Sequence, residues 1–319
     1  MAVFTPVSED AARAYLRAYD IGELEALDPI VEGVENTNYK MAAGGRRYVL
    51  TLFEKRVRAD DLPQILTLIA HLSDAGYPAP RPVPQREGGL LGELCDRRAT
   101  IIAWAAGAWL RDPSREEIFR AGAALADLHT LAADAPAMPP NRFALPAWRE
   151  LAASCANAAD RTQRSLVDEL NATTDGLAAR WPGDLPSGPI HGDYFPDNVL
   201  FNEGRVSGVI DFYFSCADAI AYDFAISLNA WCFDAKGGFL ADASAAFSQG
   251  YVSRRPMSEA ERAAMPLLCE GAAARFTLTR LHDLLYADVN AMVRLKDPVP
   301  FAERMRFHAQ VTDPGVYGL

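Results

Sequence analysis

A run of polar residues between two apolar segments constrains the fold of this 319-residue chain more than any other feature. Residues 190–201 read IHGDYFPDNVLF, with Ile190 before the polar run and Val199, Leu200 and Phe201 after it. Such apolar flanks are typical of buried strands, which hold a neighbouring loop rigid, and catalytic groups need rigid neighbours. The segment therefore predicts a functional loop between two short strands.

A second polar cluster follows closely. Residues 204–225 read GRVSGVIDFYFSCADAIAYDFA, in which VSGVI predicts a strand and Asp211 comes directly after it. Together the clusters give His191-x-Asp193-x-x-x-x-Asn198 and a strand that ends in Asp211. Two carboxylates and an amide that converge supply the hard oxygen ligands that Mg²⁺ prefers, as in phosphoryl-transfer sites. A structural polar network is the alternative interpretation, and the strand-terminal aspartate favours the functional one.

Composition limits the classes of partner. The formal net charge is −11, which argues against a general nucleic-acid-binding face. The five cysteines are widely spaced and form no C-x-x-C pair, so neither a disulfide framework nor a zinc site is indicated. The chain shows no signal-peptide pattern and no apolar run long enough for a membrane span. We therefore expect a soluble, cytoplasmic protein.

The first hundred residues have the pattern of a small α+β unit. Ser8 predicts the N-cap of a first helix. A hairpin is expected around Gly44 and Gly45, which are flanked by β-forming residues. A helix over residues 60–76 and a second hairpin that ends near residue 104 complete the unit.

The rest of the chain predicts mainly helices, with two short strands. Ser114 and Ser258 each have a glutamate three residues later, the spacing of a capping box. An alanine-rich stretch over residues 152–181 predicts a further helical segment, and Pro266 is expected to kink or divide the last long helix.

The organisation is therefore α+β and bilobal. A small antiparallel-sheet lobe is expected over residues 1–103, and a larger, mainly helical lobe over residues 104–319.

These motifs resemble those of a known family. HGDYFPDN is similar to the catalytic loop, and IDF to the metal-binding strand end, of phosphotransferases of the aminoglycoside-kinase and choline-kinase type. VEGVENTNY, YVLTLFEKR, LNAWCF and RFTLTRLHD are also similar to the homoserine kinases within that family, and the similar stretches span most of the chain. The resemblance implies a protein-kinase-like fold, ATP and Mg²⁺ as cofactors, and L-homoserine as the substrate.

The resemblance also implies roles for individual residues. Asp193 is expected to accept the proton of the substrate hydroxyl, and Asn198 and Asp211 to hold Mg²⁺ against the nucleotide phosphates. His191 and Asp223 are expected to support the loop rather than to transfer protons.

The nucleotide is expected between the lobes. Asn36 and Asn38 belong to a segment, beginning at Gly33, that takes the place of the phosphate-covering loop; an ordinary hairpin turn is the alternative interpretation. Ala103 and Ala105 fall where backbone groups of the family hydrogen-bond adenine.

One position departs from the wider family. Thr51 occupies the place of a lysine or arginine that pairs with the nucleotide phosphates, and the following helix lacks an obvious glutamate partner for such a cation. Lys55 is the expected replacement for the phosphate contact.

Homoserine carries a carboxylate and an ammonium besides its hydroxyl, so its pocket needs a cation and an acid. Arg275 or Arg280 is expected to bind the carboxylate, since the two arginines lie five residues apart and point in different directions on a helix. Asp218 is expected to bind the ammonium, and Tyr213 to orient the substrate.

Two alternatives stay open. Another small-molecule kinase of the same fold, acting on an aminoglycoside, choline or a hydroxylated amine, would use the same Asp193, Asn198 and Asp211. A catalytically inactive, pseudokinase-like binding protein is the second alternative, and it is suggested by Thr51.

Overall fold

The structure is a computed structural model that describes residues 4–30, 36–54, 58–286 and 295–319, without the side chains of residues 161 and 162. The N-terminal lobe consists of α1 (Glu9–Leu16), β1 (Leu24–Pro29), β2 (Thr37–Ala43), β3 (Arg46–Leu52), α2 (Leu62–Asp74), β4 (Gly92–Leu94) and β5 (Arg97–Ala103). Its strands form one antiparallel sheet in the order β1-β2-β3-β5-β4.

Both hairpins and the Ser8 cap predicted in this lobe are confirmed. The Ser8 hydroxyl accepts a hydrogen bond from the Ala11 N–H. Gly44 and Gly45 link β2 to β3 with φ angles of 54° and 72°, a left-handed conformation that glycine adopts at low cost. The edge strand β1 was missed, because its sequence LEALDP is largely exposed and lacks the alternation of a half-buried strand.

The C-terminal lobe is mainly helical. It consists of α3 (Arg115–Leu131), α4 (Leu145–Ala158), α5 (Arg161–Ala178), β6 (Ser187–Ile190), β7 (Val199–Asn202), β8 (Arg205–Val209), β9 (Cys216–Ala219), α6 (Ile220–Trp231), α7 (Ala241–Val252), α8 (Glu259–Leu285) and α9 (Val299–His308). The strands form two antiparallel pairs, β6 with β9 and β7 with β8. Helix α6 is buried along nearly its whole length and forms the centre of the lobe.

Two helix predictions in this lobe need correction. The stretch 152–181 was predicted as one helical segment, but Ala159 is extended and separates α4 from α5. The break is stabilised by Asp160 and Gln163, whose side chains accept hydrogen bonds from each other's backbone N–H at 3.1 Å. Pro266 does not divide α8, which runs continuously past it. A proline removes one hydrogen bond of a helix ladder, and α8 is held by packing against neighbouring helices.

Both predicted capping boxes are confirmed, at Ser114 with Glu117 and at Ser258 with Glu261. Among the described residues, none of the helices has the length and apolar character required to cross a bilayer.

Candidate active site

The polar loop, residues 191–198, lies between β6 and β7. Strand β6 is fixed by pairing with β9, where Ile190 faces Cys216. At the other end of the loop, the Ile210 N–H donates to the Asn198 carbonyl oxygen at 2.9 Å and so extends the pairing of β7 with β8 by one step. Asp211 follows directly, so this strand pair brings the Asn198 and Asp211 backbones together, as the sequence pattern predicted.

The turn at the start of the polar loop requires glycine. Gly192 has a φ of +75°, and a Cβ at this position would lie 2.7 Å from the Phe214 carbonyl oxygen. Any other residue would therefore be strained and would clash with backbone. The tight turn points the backbone N–H groups of His191 and Gly192 into the interior of the lobe.

Asp223, in α6, receives those N–H groups. Its carboxylate accepts from the His191 N–H at 2.7 Å and from the Gly192 N–H at 2.9 Å, and it contacts His129 Nε2 at 3.0 Å. Burial on its own would raise the pKa of Asp223, but the hydrogen bond and charge of His129 and the backbone N–H groups hold it below its ordinary value. A buried carboxylate therefore fixes the loop from below.

His191 is held in one neutral tautomer. Its Nε2 lies 3.0 Å from the Ile210 carbonyl oxygen, which can only accept, and its Nδ1 accepts the Asp193 N–H at 3.3 Å. Nε2 must then carry the proton. Burial also lowers the pKa of His191, and the negative charge of Asp223 only partly opposes this effect. Since both ring nitrogens are occupied by backbone, the ring links the polar loop to the end of β8.

Asp193 and Asn198 are joined to each other. The Asn198 Nδ2 donates to the Asp193 carbonyl oxygen at 2.9 Å and to its Oδ2 at 3.2 Å. The amide group thereby sets the orientation of the Asp193 carboxylate. Because the Asn198 nitrogen faces Asp193, its Oδ1 is the atom suited to a cation.

Asp211 adopts a left-handed conformation, with φ 63° and ψ 53°. This conformation is costly for a residue with a Cβ, although aspartate tolerates it better than most, and such strain is concentrated at functional sites. Within the described ranges, no group of three or more histidine, cysteine or acidic side chains could hold a metal ion. A site of one carboxylate and one amide oxygen fits Mg²⁺, which keeps several waters and binds substrate phosphates.

The sheet of the N-terminal lobe contributes Asn38 and Thr51. The Thr51 hydroxyl donates to Asn38 Oδ1 at 2.7 Å. The Tyr213 ring packs edge-on against Phe53, with centroids 4.9 Å apart. Tyr213 therefore contacts the N-terminal lobe through Phe53. Phe53 lies two residues after Thr51, the position at which the wider family carries a cation.

Three other predicted nucleotide contacts have different outcomes. Buried Asn36 accepts the Glu54 N–H at 3.4 Å, so it closes the end of β3. Lys55 and residues 33–35 lie outside the described residues. The N–H of Ala103 donates to the Arg81 carbonyl oxygen at 2.8 Å, so this N–H is not available to an adenine ring.

Ala105 lies between the lobes and close to β8, where the Gly208 backbone leaves room for its methyl group. Three residues later, Ala108 and Phe201 exchange two backbone hydrogen bonds of 3.0 and 2.8 Å. The connector is thus fixed to β7.

The predicted substrate residues do not all lie at the polar loop. Asp218 faces Gly188 in the β6–β9 pair, and its oxygens accept from Asn141 Nδ2 and the Ala219 N–H, each at 2.6 Å. Burial raises the pKa of Asp218, and the hydrogen bond from Asn141 opposes this effect. These contacts join Asp218 to the segment before α4.

The two arginines of α8 differ in environment. Arg275 is 5% exposed, donates to the Gly192 carbonyl oxygen at 3.3 Å and packs on three aromatic rings. Arg280 is partly exposed and lies over the ring of Phe301 at 4.2 Å. Burial lowers the pKa of Arg280, and the charge of Asp193 opposes this shift more than any other. Arg280 therefore lies near enough to the polar loop to feel the charge of Asp193.

Comparison with known proteins agrees with this geometry. Residues 26–257 match the model of the phosphotransferase enzyme family, which covers most of the chain. The chain belongs to this family. A relative from Rhodospirillum rubrum, named homoserine kinase, is 45% identical over 319 residues, which are all of this chain and 99% of that protein.

Solved structures show that this phosphotransferase has the fold of its family. An amicoumacin kinase, hAmiN, in complex with AMP-PNP and Ca²⁺ superposes with a TM-score of 0.71 at 15% identity, over 98% of this chain and 93% of that one. A microcompartment-associated aminopropanol kinase superposes with a TM-score of 0.65 at 19% identity, over 95% and 94% of the two chains. The predicted bilobal α+β fold is confirmed.

Sequence reasoning missed Arg304 in α9. Its guanidinium lies 4.3 Å from the centroid of Phe301, the ring that Arg280 also contacts. The sequence VPFAERMRFH contains no motif, and only the packing of α9 against α8 reveals the pairing.

Proposed function

We propose that this phosphotransferase is a homoserine kinase, which transfers the γ-phosphoryl group of ATP to the hydroxyl of L-homoserine and forms O-phospho-L-homoserine for threonine biosynthesis. The observation that carries the proposal is the 45% identity, over the whole chain, with a protein of that name. The pairing of Asp193 with Asn198 beside Asp211 supports it, because phosphoryl transfer needs a base and a cation site in one cleft. Because the reactants are ATP and a free amino acid, we also propose that the enzyme works in the cytoplasm.

In the proposed reaction the protein does little covalent work. Asp193 accepts the proton of the attacking hydroxyl, and its hydrogen bond from Asn198 keeps the carboxylate aimed at the substrate. The neutral His191 ring and the Asp223 carboxylate hydrogen-bond to the backbone of the polar loop and so fix the position of Asp193. Most of the rate enhancement then comes from positioning.

Asn198 Oδ1 and the Asp211 carboxylate would hold Mg²⁺ in this mechanism. When bound, the ion neutralises charge on the phosphate oxygens of ATP. The left-handed backbone of Asp211 directs its side chain differently from a residue that continues β8, which supports this assignment.

The ATP site is proposed in the cleft between the sheet and the connector. Asn36, Asn38 and Lys55 would lie at its phosphate end, and Ala103 and Ala105 at its adenine end. For Ala103 the contact would be through the carbonyl oxygen, since its N–H is used by Arg81.

Four side chains are proposed to shape the substrate pocket, and their contacts support them to different degrees. Arg280 has the strongest support, because the charge of Asp193 acts on it. Arg275 donates a hydrogen bond to the polar loop. Tyr213 packs against Phe53 of the N-terminal lobe. Asp218 would have to bind the substrate ammonium while it also holds Asn141.

Release of ADP from Mg-ATP tests the proposal directly. We expect turnover with L-homoserine and little with L-serine, choline or kanamycin. Efficient turnover of another alcohol would keep the kinase chemistry and reject the substrate. An absence of turnover with every alcohol would favour a binding protein.

Replacement of Asp211 by asparagine is expected to raise the Mg²⁺ concentration needed for half-maximal activity at least about tenfold, since one anionic ligand is lost. A Mg²⁺ titration of the initial rate measures the change. Asp184→Asn, in the exposed segment before β6, serves as the control and should titrate like the wild type. Identical Mg²⁺ curves for Asp211→Asn and the wild type would contradict the metal assignment.

A further inference from the structure

Two arginines from different helices share one aromatic ring next to the polar loop. The guanidinium carbons of Arg280 and Arg304 lie 4.2 and 4.3 Å from the centroid of Phe301, which is buried. Phe301 packs against Phe195 with ring centroids 6.1 Å apart, and Phe195 is two residues after Asp193 in the polar loop. Arg280, on which the charge of Asp193 acts, therefore lies near the polar loop, and Arg304 contacts the same ring.

No carboxylate in the described part of the chain lies within salt-bridge distance of the two cations, although the charges of Asp193, Asp297 and Asp197 act on Arg280. In those ranges, neither Arg280 nor Arg304 forms a salt bridge with a carboxylate. Each donates only to a backbone carbonyl oxygen, of Asp297 at 3.1 Å and of Asn229 at 2.6 Å, respectively. The Nε atoms of Arg304 and of Arg275 are both buried and, among the described residues, have no hydrogen-bond partner. Unused donors on buried cations are costly unless an anion satisfies them.

Mutual repulsion adds to this cost. Burial lowers the pKa of Arg304 to about 10, and the positive charge of Arg280 contributes to the shift. A bound anion between or beside the two guanidinium groups would reverse both effects. The neighbouring Arg306, by contrast, is neutralised on the surface by Glu169 through two bonds of 2.6 Å.

Arg275 is a poorer candidate for a ligand anion. Its guanidinium is enclosed by Phe143, Phe214 and Phe276, and it is bonded to the Gly192 carbonyl oxygen behind the polar loop. A substrate could reach it only by displacing these rings. Arg275 thus supports the loop, whereas Arg280 is partly exposed and is acted on by the charge of Asp193.

We propose that Arg280 and Arg304 form the subsite for the substrate carboxylate and make this enzyme select hydroxylated amino acids over simple amino alcohols. The inference rests on the proposed kinase function and assigns one part of its substrate. The carbon chain of homoserine is short, so a substrate whose hydroxyl meets Asp193 must place its carboxylate only a few bonds away. Of the acidic residues whose charges act on Arg280, Asp193 has the largest effect, which is consistent with a short distance between the two side chains.

The test uses two alcohols that differ only in the carboxylate. L-Homoserine and 3-amino-1-propanol are compared by kcat/KM in the wild type, Arg280→Gln and Arg304→Gln. We expect each substitution to lower kcat/KM for L-homoserine by about 100-fold, because a charge-assisted contact is lost, and to change that for 3-amino-1-propanol less than about threefold. The KM for ATP should not move. Arg306→Gln removes a charge from the same helix and should retain the wild-type preference.

Two further measurements separate folding and function from the subsite. Arg280→Lys keeps the positive charge but lacks the planar guanidinium group. Its kcat/KM for L-homoserine should fall about tenfold, which would show the same trend in a variant that keeps the charge. Calorimetry with L-2-aminobutyrate, which is homoserine without its hydroxyl, reports carboxylate binding without turnover. Its binding should be lost in Arg280→Gln and Arg304→Gln and retained in Arg306→Gln.

The outcomes are distinguishable. If the wild type phosphorylates neither alcohol but its L-2-aminobutyrate binding depends on Arg280, the subsite stands and the kinase proposal fails. If the wild type phosphorylates L-homoserine and the glutamine variants keep both the preference and the binding, the subsite is overturned and the kinase proposal stands. An equal loss of kcat/KM for both alcohols in the folded variants would also overturn the subsite, because 3-amino-1-propanol has no carboxylate for the arginines to bind.

Discussion

Replacement of Asp193 by asparagine is expected to lower kcat about a thousandfold, with little change in the KM for ATP. The substitution removes the group that accepts the hydroxyl proton, a role that contributes up to about 10⁴-fold in enzymes. It should not disturb the loop, because an asparagine oxygen can still accept the Asn198 Nδ2 and the main-chain bond of 2.9 Å is unaffected. Steady-state ADP release with saturating L-homoserine measures the loss.

The polar loop contains its own control for this prediction. Asp197 lies in the same loop and is exposed, so Asp197→Asn makes the same chemical change away from the proposed base. Its kcat should stay within about threefold of the wild type. A loss of similar size in both variants would mean that loop charge, rather than proton transfer by Asp193, limits the rate. Thermal unfolding of both proteins should match the wild type.

The polar loop and its metal ligands could be predicted because their pattern is local. His191, Asp193, Asn198 and Asp211 fall within a short stretch, and the strands that carry them are apolar and bounded by turns. Antiparallel pairing of adjacent strands then brings the two ends together without any long-range information. The main α+β organisation could be predicted for the same reason, since each hairpin and capped helix has its own signal.

The support beneath the loop could not be predicted, because it depends on contacts between distant residues. His129 and Asp223 are separated by 94 positions, and their pairing follows only from the packing of α3 against the buried α6. His129 is a core histidine in sequence terms, with no pattern that identifies its partner. Arg304 was missed for a related reason: the ring it shares with Arg280 belongs to the interface of α8 and α9.

Thr51 illustrates a partial success. The sequence shows that the usual cation is absent from this position, but not what a neutral residue would contact. In the structure the Thr51 hydroxyl donates to Asn38 Oδ1 on the adjacent strand, a neutral partner. The spacing of Tyr213, two residues after Asp211, suggests a substrate contact, which stays a prediction.

Replacement of Asp223 by asparagine is expected to lower the free energy of unfolding by about 3 to 5 kcal/mol, the largest stability effect that we predict. Asp223 is fully buried and accepts hydrogen bonds from His191, Gly192 and His129. An asparagine would turn an NH₂ group toward one of these donors and would remove the charge that balances the buried site. Urea unfolding at neutral pH, followed by tryptophan fluorescence, measures the change.

The pH dependence distinguishes this charge from a packing effect. The pKa of Asp223 in the folded protein lies below its ordinary value, so its contribution is complete above the ordinary carboxyl range and is lost as the pH falls through the folded-state pKa. Stability of the wild type should therefore fall more steeply in acid than that of Asp223→Asn. Asp127→Asn, on the same helix as His129, removes an aspartate whose contact to Arg254 is 3.9 Å and exposed, and should cost under about 1 kcal/mol. Parallel acid curves for the wild type and Asp223→Asn would show that the carboxylate is not ionised in the folded loop support.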